Sequence, residues 1–171
     1  MTLAGLDGEI RGGHHFMPVR VYYEDTDFSG IVYHANYLHF MERGRTNYLR
    51  LLGADHGALF AQARIEEPGL AFVVRAMQIE FLKPARMDDV LEVETAPAEV
   101  KGASIMLRQR VMRADETLVE ARVRVACVSG GRARPIPKVL RMAMQADRDM
   151  QADQDRQTDQ DLQTDQDTAG A

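Results

Sequence analysis

The stretch YYEDTDFSGIVYHANYLHFMERGR, residues 22–45, decides how this chain is read, because strand, turn chemistry, titratable groups and helix follow one another in it without a break. Val19, Val21 and Tyr23 alternate with Arg20, Tyr22 and Glu24, the period of a half-buried strand expected to end at Asp25. Asp25, Asp27, Ser29 and Gly30 are turn formers, with Gly30 suited to a positive φ. Tyr37, Met41, Gly44, Tyr48 and Leu51/Leu52 then recur at three-to-four spacing, which predicts a helix over about 36–52 that stops at Gly53. A carboxylate on a turn beside a helix N-terminus faces unpaired N–H groups and a positive dipole end, both of which favour developing negative charge. Asp27 as nucleophile or general base, with the N–H groups near His34 and Asn36 as an oxyanion hole, suits attack of water on an activated acyl carbonyl.

Taken singly, each residue has a plainer role: Asp27 as a turn residue, His34 as a loop histidine, Asn36 as an N-cap. The ordered combination points to chemistry. Residues 25–30 also imitate the start of a calcium loop, but the twelfth position is Asn36 where a bidentate Glu is required, and a strand precedes the loop. His14-His15 has no Cys or acid cluster beside it and is not read as a metal site.

The segments YEDTD (23–27), GIVYH (30–34), Asn36-Tyr37 and FMER (40–43) resemble the signature of the hotdog-fold acyl-CoA thioesterases, in their 4-hydroxybenzoyl-CoA thioesterase-like branch. Tyr33-His34, FVVR (72–75) and KPARMDD (83–89) are most similar to the Tol-Pal-associated, YbgC-like members, and the likeness spans about 18–138. The resemblance implies a catalytic carboxylate at Asp27 and a carbonyl-polarising backbone N–H at His34, with Tyr33 and Asn36 as substrate contacts. It implies a coenzyme A or acyl-carrier thioester as substrate, short to medium aliphatic chains being favoured, and no cofactor or metal. The substrate's phosphates need cations, for which Lys83, Arg86 and Lys101 are candidates. Phe72 and Val73 would floor the acyl pocket, and Glu42 on the helix is the fallback base. A homodimer or homotetramer and an association with the Tol-Pal system are further implications. The alternatives are a hotdog module that binds acyl thioesters without hydrolysing them, a hotdog dehydratase, and a scaffold whose tail recruits a partner.

Downstream, residues 71–128 alternate strand after strand. Met77, Ile79 and Phe81 form one apolar set, Ile105, Leu107, Gln109 and Val111 another, and Val119, Ala121, Val123, Val125 and Cys127 a third. One amphipathic helix followed by a meander of long antiparallel strands predicts an α+β domain, a hotdog with the helix packed on a curved sheet. The expected division is a flexible segment over 1–16, a thioesterase domain over 17–144 and a tail over 145–171. That tail repeats QADRDM, QADQDR, QTDQDL and QTDQDT with a period of six and carries a charge of −6, so it is expected to be disordered. The rest of the chain is then close to neutral, without the basic stripe of a nucleic-acid binder. With 171 residues, 45% of them hydrophobic, there is enough chain for one core. A lone cysteine, no long apolar run and no signal-like N-terminus suggest a reducing compartment, the cytoplasm, without membrane insertion.

Overall fold

A computed structural model describes residues 5–55 and 69–169. In chain order it comprises β1 (Glu9–Arg11), β2 (His14–Arg20), α1 (His34–Asp55), β3 (Ala71–Phe81), β4 (Val90–Val100), β5 (Ser104–Arg113), β6 (Glu116–Ser129), β7 (Arg132–Ala133) and α2 (Lys138–Ala169). All strand pairs are antiparallel, in the order β1-β2-β4-β5-β6-β3, with β7 on the end of β6. This is the expected hotdog arrangement, a long helix laid on a curved antiparallel sheet.

The period-two patterns explain which face α1 covers. On β5, Ile105, Leu107, Gln109 and Val111 are buried; on β6, Val119, Ala121, Val123, Val125 and Cys127 are buried while Glu120, Arg122 and Arg124 face out. From the helix, Tyr37, Met41, Tyr48 and Leu52 complete the core with Phe40. At Gly44 α1 packs tightly on the sheet: a Cβ there would stand 2.9 Å from Thr95 Oγ1 and 3.0 Å from Val93 Cγ1. Any larger residue would push the helix off β4.

The core also holds a closed polar network. Arg45, only 6% exposed, donates to Gln109 Oε1 at 2.7 Å and to Glu42 Oε2, while Gln109 Nε2 donates to the Met41 carbonyl at 2.9 Å and to Thr95 Oγ1 at 2.8 Å. On the other face of β4, Glu94 is buried between His14 Nδ1 and Arg110 Nε, each at 2.5 Å. Burial alone would raise its pKa, but the hydrogen bonds from these two bases prevail and hold it at about 2.

Three expectations are corrected here. The first strand ends at Arg20, not Asp25, because residues 23–25 close a 3₁₀ turn in which the Asp25 carboxylate accepts the Tyr22 N–H at 2.8 Å. A local carboxylate acceptor outcompetes the alternation. The N-terminal segment is ordered from Glu9: Gly12 (φ 56) and Gly13 (φ 79) make the tight turn that pairs β1 with β2. The acidic repeat continues a helix instead of a coil. Leu140, Met144, Asp147 and Gln151, spaced four, three and four apart, form one docked face, with Tyr48 donating to Asp147 Oδ2 at 2.6 Å and Gln151 Nε2 to the Gly13 carbonyl at 2.8 Å. A docked first turn removes the nucleation cost, and helix then propagates through residues that would not start one. Residues 56–68, between α1 and β3, lie outside the described residues.

Candidate active site

The loop between β2 and α1 is held by backbone hydrogen bonds. Asp27 N–H donates to the Ile31 carbonyl at 2.9 Å, Gly30 N–H to the Asp27 carbonyl at 3.0 Å, and Tyr33 N–H to the Asp25 carbonyl at 2.9 Å. Bridges Thr26↔Val32 and Ile31↔Arg86 make the loop a small ribbon lying against residues 83–89. Gly30 takes the positive φ its place in the turn suggests, 73°.

Asp27 stands exposed on this ribbon. Its Oδ1 accepts the Ser29 N–H at 2.7 Å, and among the described residues nothing donates to Oδ2. The helix begins at His34, two residues before the expected start, so its first N–H groups belong to His34 and Ala35; neither has a partner among the described residues. Asn36 N–H is already used by the Tyr33 carbonyl at 2.8 Å. The open donors are therefore narrower than the sequence suggested. An anion or a developing oxyanion can be received at the start of α1, with the Asp27 carboxylate on the turn that leads into it.

The remaining candidates divide. His34's ring packs at a tilt against Tyr33, with 4.4 Å between centroids, and lies edge-on to Phe81 at 6.2 Å. Its imidazole takes no hydrogen bond among the described residues. Asn36 is no N-cap; it sits inside the first turn, and its Nδ2 reaches back to the Asp25 carbonyl at 2.8 Å. Arg86 is bridged to Ile31, its N–H donating to Asp89 Oδ2 at 2.9 Å and its side chain exposed. Lys83 is paired with Glu116 at 2.5 Å, and Glu116 also receives Arg113 at 2.6 Å, so its pKa is lowered by both hydrogen bonds. Lys101 lies at the other end of β4, paired with Glu99 at 3.0 Å. Glu42 is bound to Arg45 two turns along α1. Phe72 lines a cavity of about 70 Å³ with Tyr48, Leu107 and Met144, beside Glu42 and Arg45; Val73 instead is exposed.

Sequence reasoning missed two anchors. Asp25 collects Tyr33 N–H and Asn36 Nδ2 on one carbonyl, although it looked like an ordinary turn acid. Tyr37, assigned only to the core, accepts the Ala85 N–H on its hydroxyl at 2.8 Å. The signal for Tyr37 was its hydroxyl, since a buried tyrosine usually finds a hydrogen-bond partner.

A model of the thioesterase superfamily matches residues 29–120, from the turn before α1 into β6. The chain belongs to that superfamily, in its YbgC branch. It is 51% identical to the acyl-CoA thioesterase YbgC of Haemophilus influenzae over 74% of this chain and 90% of that one. To the acyl-CoA thioester hydrolase YbgC of an Escherichia coli O6:H1 strain it is 46% identical, over 71% of this chain and 88% of that one. A probable thioesterase from Bartonella henselae, 38% identical, has a crystal structure that superposes with a TM-score of 0.62 over 72% of this chain and 98% of the other. No helix among the described residues is long and apolar enough to cross a membrane.

Proposed function

We propose that this YbgC-branch chain hydrolyses the thioester of short- to medium-chain acyl-CoA, with acyl-carrier thioesters as the other possible handle. Thioester hydrolysis comes with the family; the residues and the acyl chain are our reading. What supports it is that, among the described residues, one Asp27 carboxylate oxygen and the first N–H groups of α1 have no partner, and that both lie on the short connection from β2 into α1. The thioester carbonyl oxygen sits on the His34 N–H, where charge builds as the carbonyl becomes tetrahedral. Asp27 either attacks the carbonyl carbon, giving a mixed anhydride that water then opens, or takes a proton from the attacking water. In the first route the coenzyme A thiolate leaves and takes a proton from solvent; in the second Asp27 passes to it the proton taken from water. Tyr33 and Asn36 flank the acyl carbonyl, one through its exposed ring and the other through the loop it fixes. Arg86 meets the phosphates, and Lys83 joins only by releasing Glu116.

The edge of β3 away from β6 has no partner among the described residues, and Val73, Val74 and Phe81 are exposed along it. A strand edge with apolar side chains favours pairing with a second copy, which supports a homodimer, and two such dimers a homotetramer. We place the protein in the cytoplasm and the catalytic unit within 17–144. The test is a panel of short, medium, long and aromatic acyl-CoAs, with acyl-carrier thioesters alongside, run with EDTA and repeated on a chain ending at Gln157. Turnover of aliphatic CoA thioesters by both chains is expected. Tight binding without turnover across the panel would instead make the domain a binding module or a scaffold, including one serving the Tol-Pal system.

A further inference from the structure

Resting on the thioesterase reading, we propose that Tyr37 is a positioning residue whose hydroxyl sets the catalytic ribbon through the backbone of Ala85. The hydroxyl oxygen accepts the Ala85 N–H at 2.8 Å, and the carbonyl of the same residue accepts the Val32 N–H at 2.9 Å. One residue of the 83–89 connection is thus grasped from both sides, its N–H by the helix and its carbonyl by the ribbon. Tyr37, Ala85 and Val32 are 3%, 0% and 4% exposed, so water cannot replace either bond.

The rest of this connection is braced from the sheet. Asp89 Oδ2 accepts the Arg86 N–H at 2.9 Å and Arg113 Nη1 at 2.8 Å, and Val21 exchanges backbone bonds with Asp88 and Asp89 at 3.0 and 2.9 Å. Tyr37 is one turn into α1, two residues past the open N–H groups of His34 and Ala35. Helix start and ribbon carry the two halves of the chemistry; Asn36 ties them directly at the Asp25 carbonyl, and Tyr37 sets the height of the ribbon from below, through Ala85. Burial raises the phenol's pKa, which keeps it a neutral acceptor at working pH. Its ring is fixed by Phe40 at 6.2 Å and Phe81 at 5.9 Å, so the oxygen has no room to follow a displaced loop.

Tyr37→Phe keeps the ring and removes the acceptor. With the acyl-CoA that the wild type turns over fastest, kcat is expected to fall by about 10- to 100-fold, the scale of a sub-ångström to 1 Å misplacement, while KM stays within about twofold. Amide exchange in 26–33 and at Ala85 should accelerate while β5 and β6 keep wild-type protection. A kcat within about twofold of wild type in the folded variant, or unchanged exchange in 26–33, overturns the proposal. The exchange measurement stands even if no acyl-CoA is turned over, which separates this failure from failure of the thioesterase reading. Should the variant not fold, exchange in the wild type decides: Val32 and Ala85 opening together with the first turn of α1 supports the coupling, and opening with the exposed turn 27–30 overturns it.

Discussion

Two polar regions of this molecule use similar groups to opposite ends. Around Gln109, every donor and acceptor of the amide is used, and Arg45, Thr95 and the Met41 carbonyl close on it without solvent. Around Asp27 the backbone is tied at several points, yet among the described residues one carboxylate oxygen and the N–H groups of His34 and Ala35 are left without partners. The first arrangement converts hydrogen bonds into a unique core packing, and the second converts a fixed backbone into unsatisfied side-chain and N–H valence. The contrast predicts that damage to one region is felt in stability and damage to the other in turnover.

The sharpest test is Asp27→Asn. Hydrolysis should drop by about 10²–10⁴-fold, the contribution of a positioned acid–base group, with a melting temperature close to wild type because Oδ1 still accepts Ser29 N–H. A large loss of stability in this variant would erase the contrast. Next comes a pair at one position. His34→Pro removes the N–H at the first helical residue, where proline is tolerated, and should cost about 10²–10³-fold in kcat; His34→Ala keeps the N–H and should be much milder. Equal losses would shift the role from backbone to imidazole. On the other side, Gln109→Ala strips Arg45, Thr95 and Met41 of their partner and should lower unfolding free energy by about 3 kcal/mol in urea titrations, with KM unmoved.

The smallest effect is in pH. His15 is fully buried, its Nε2 on the Asp7 carbonyl at 2.7 Å, and burial lowers its pKa. The unfolded chain takes up that proton below about 6.5 while the folded one resists, so stability falls as pH drops through this range. Glu94, held at about 2 when folded against 4.5, gives stability that is complete above 4.5 and lost on further acidification. Asp147, raised by burial, opposes this in the carboxylate range. Melting curves at pH 7.5 and 5.5 should differ for the wild type, and His15→Gln should narrow the gap.

Much of this was legible in the residues. Alternation placed Gln109 on the core face and Arg122 and Arg124 outside, and the turn residues marked Asp27 and Gly30 before any coordinates. What stayed hidden was non-local or competitive. Nothing near Tyr37 announces Ala85, whose N–H meets its hydroxyl only once residues 83–89 have been brought beneath the ribbon. The strand pattern ran on to Asp25 because alternation carries no record of a carboxylate capping its own backbone. The repeat after Met144 looked disordered because its composition is, whereas its helix depends on Tyr48 and Gly13, far away in sequence.

Strand order carries a consequence for how the molecule comes together in time. β4, β5 and β6 follow one another as neighbouring hairpins, whereas β2 and β3 join this meander at opposite flanks over long loops. Closing a long loop has an entropic cost that local pairing avoids, so the meander is the favoured nucleus and the flanks arrive later. The ribbon that bears Asp27 hangs between β2 and α1 and rests on the peptide after β3. Its shape is therefore inherited from both late arrivals, and the corner that bears Asp27 is among the last parts of the chain to become native.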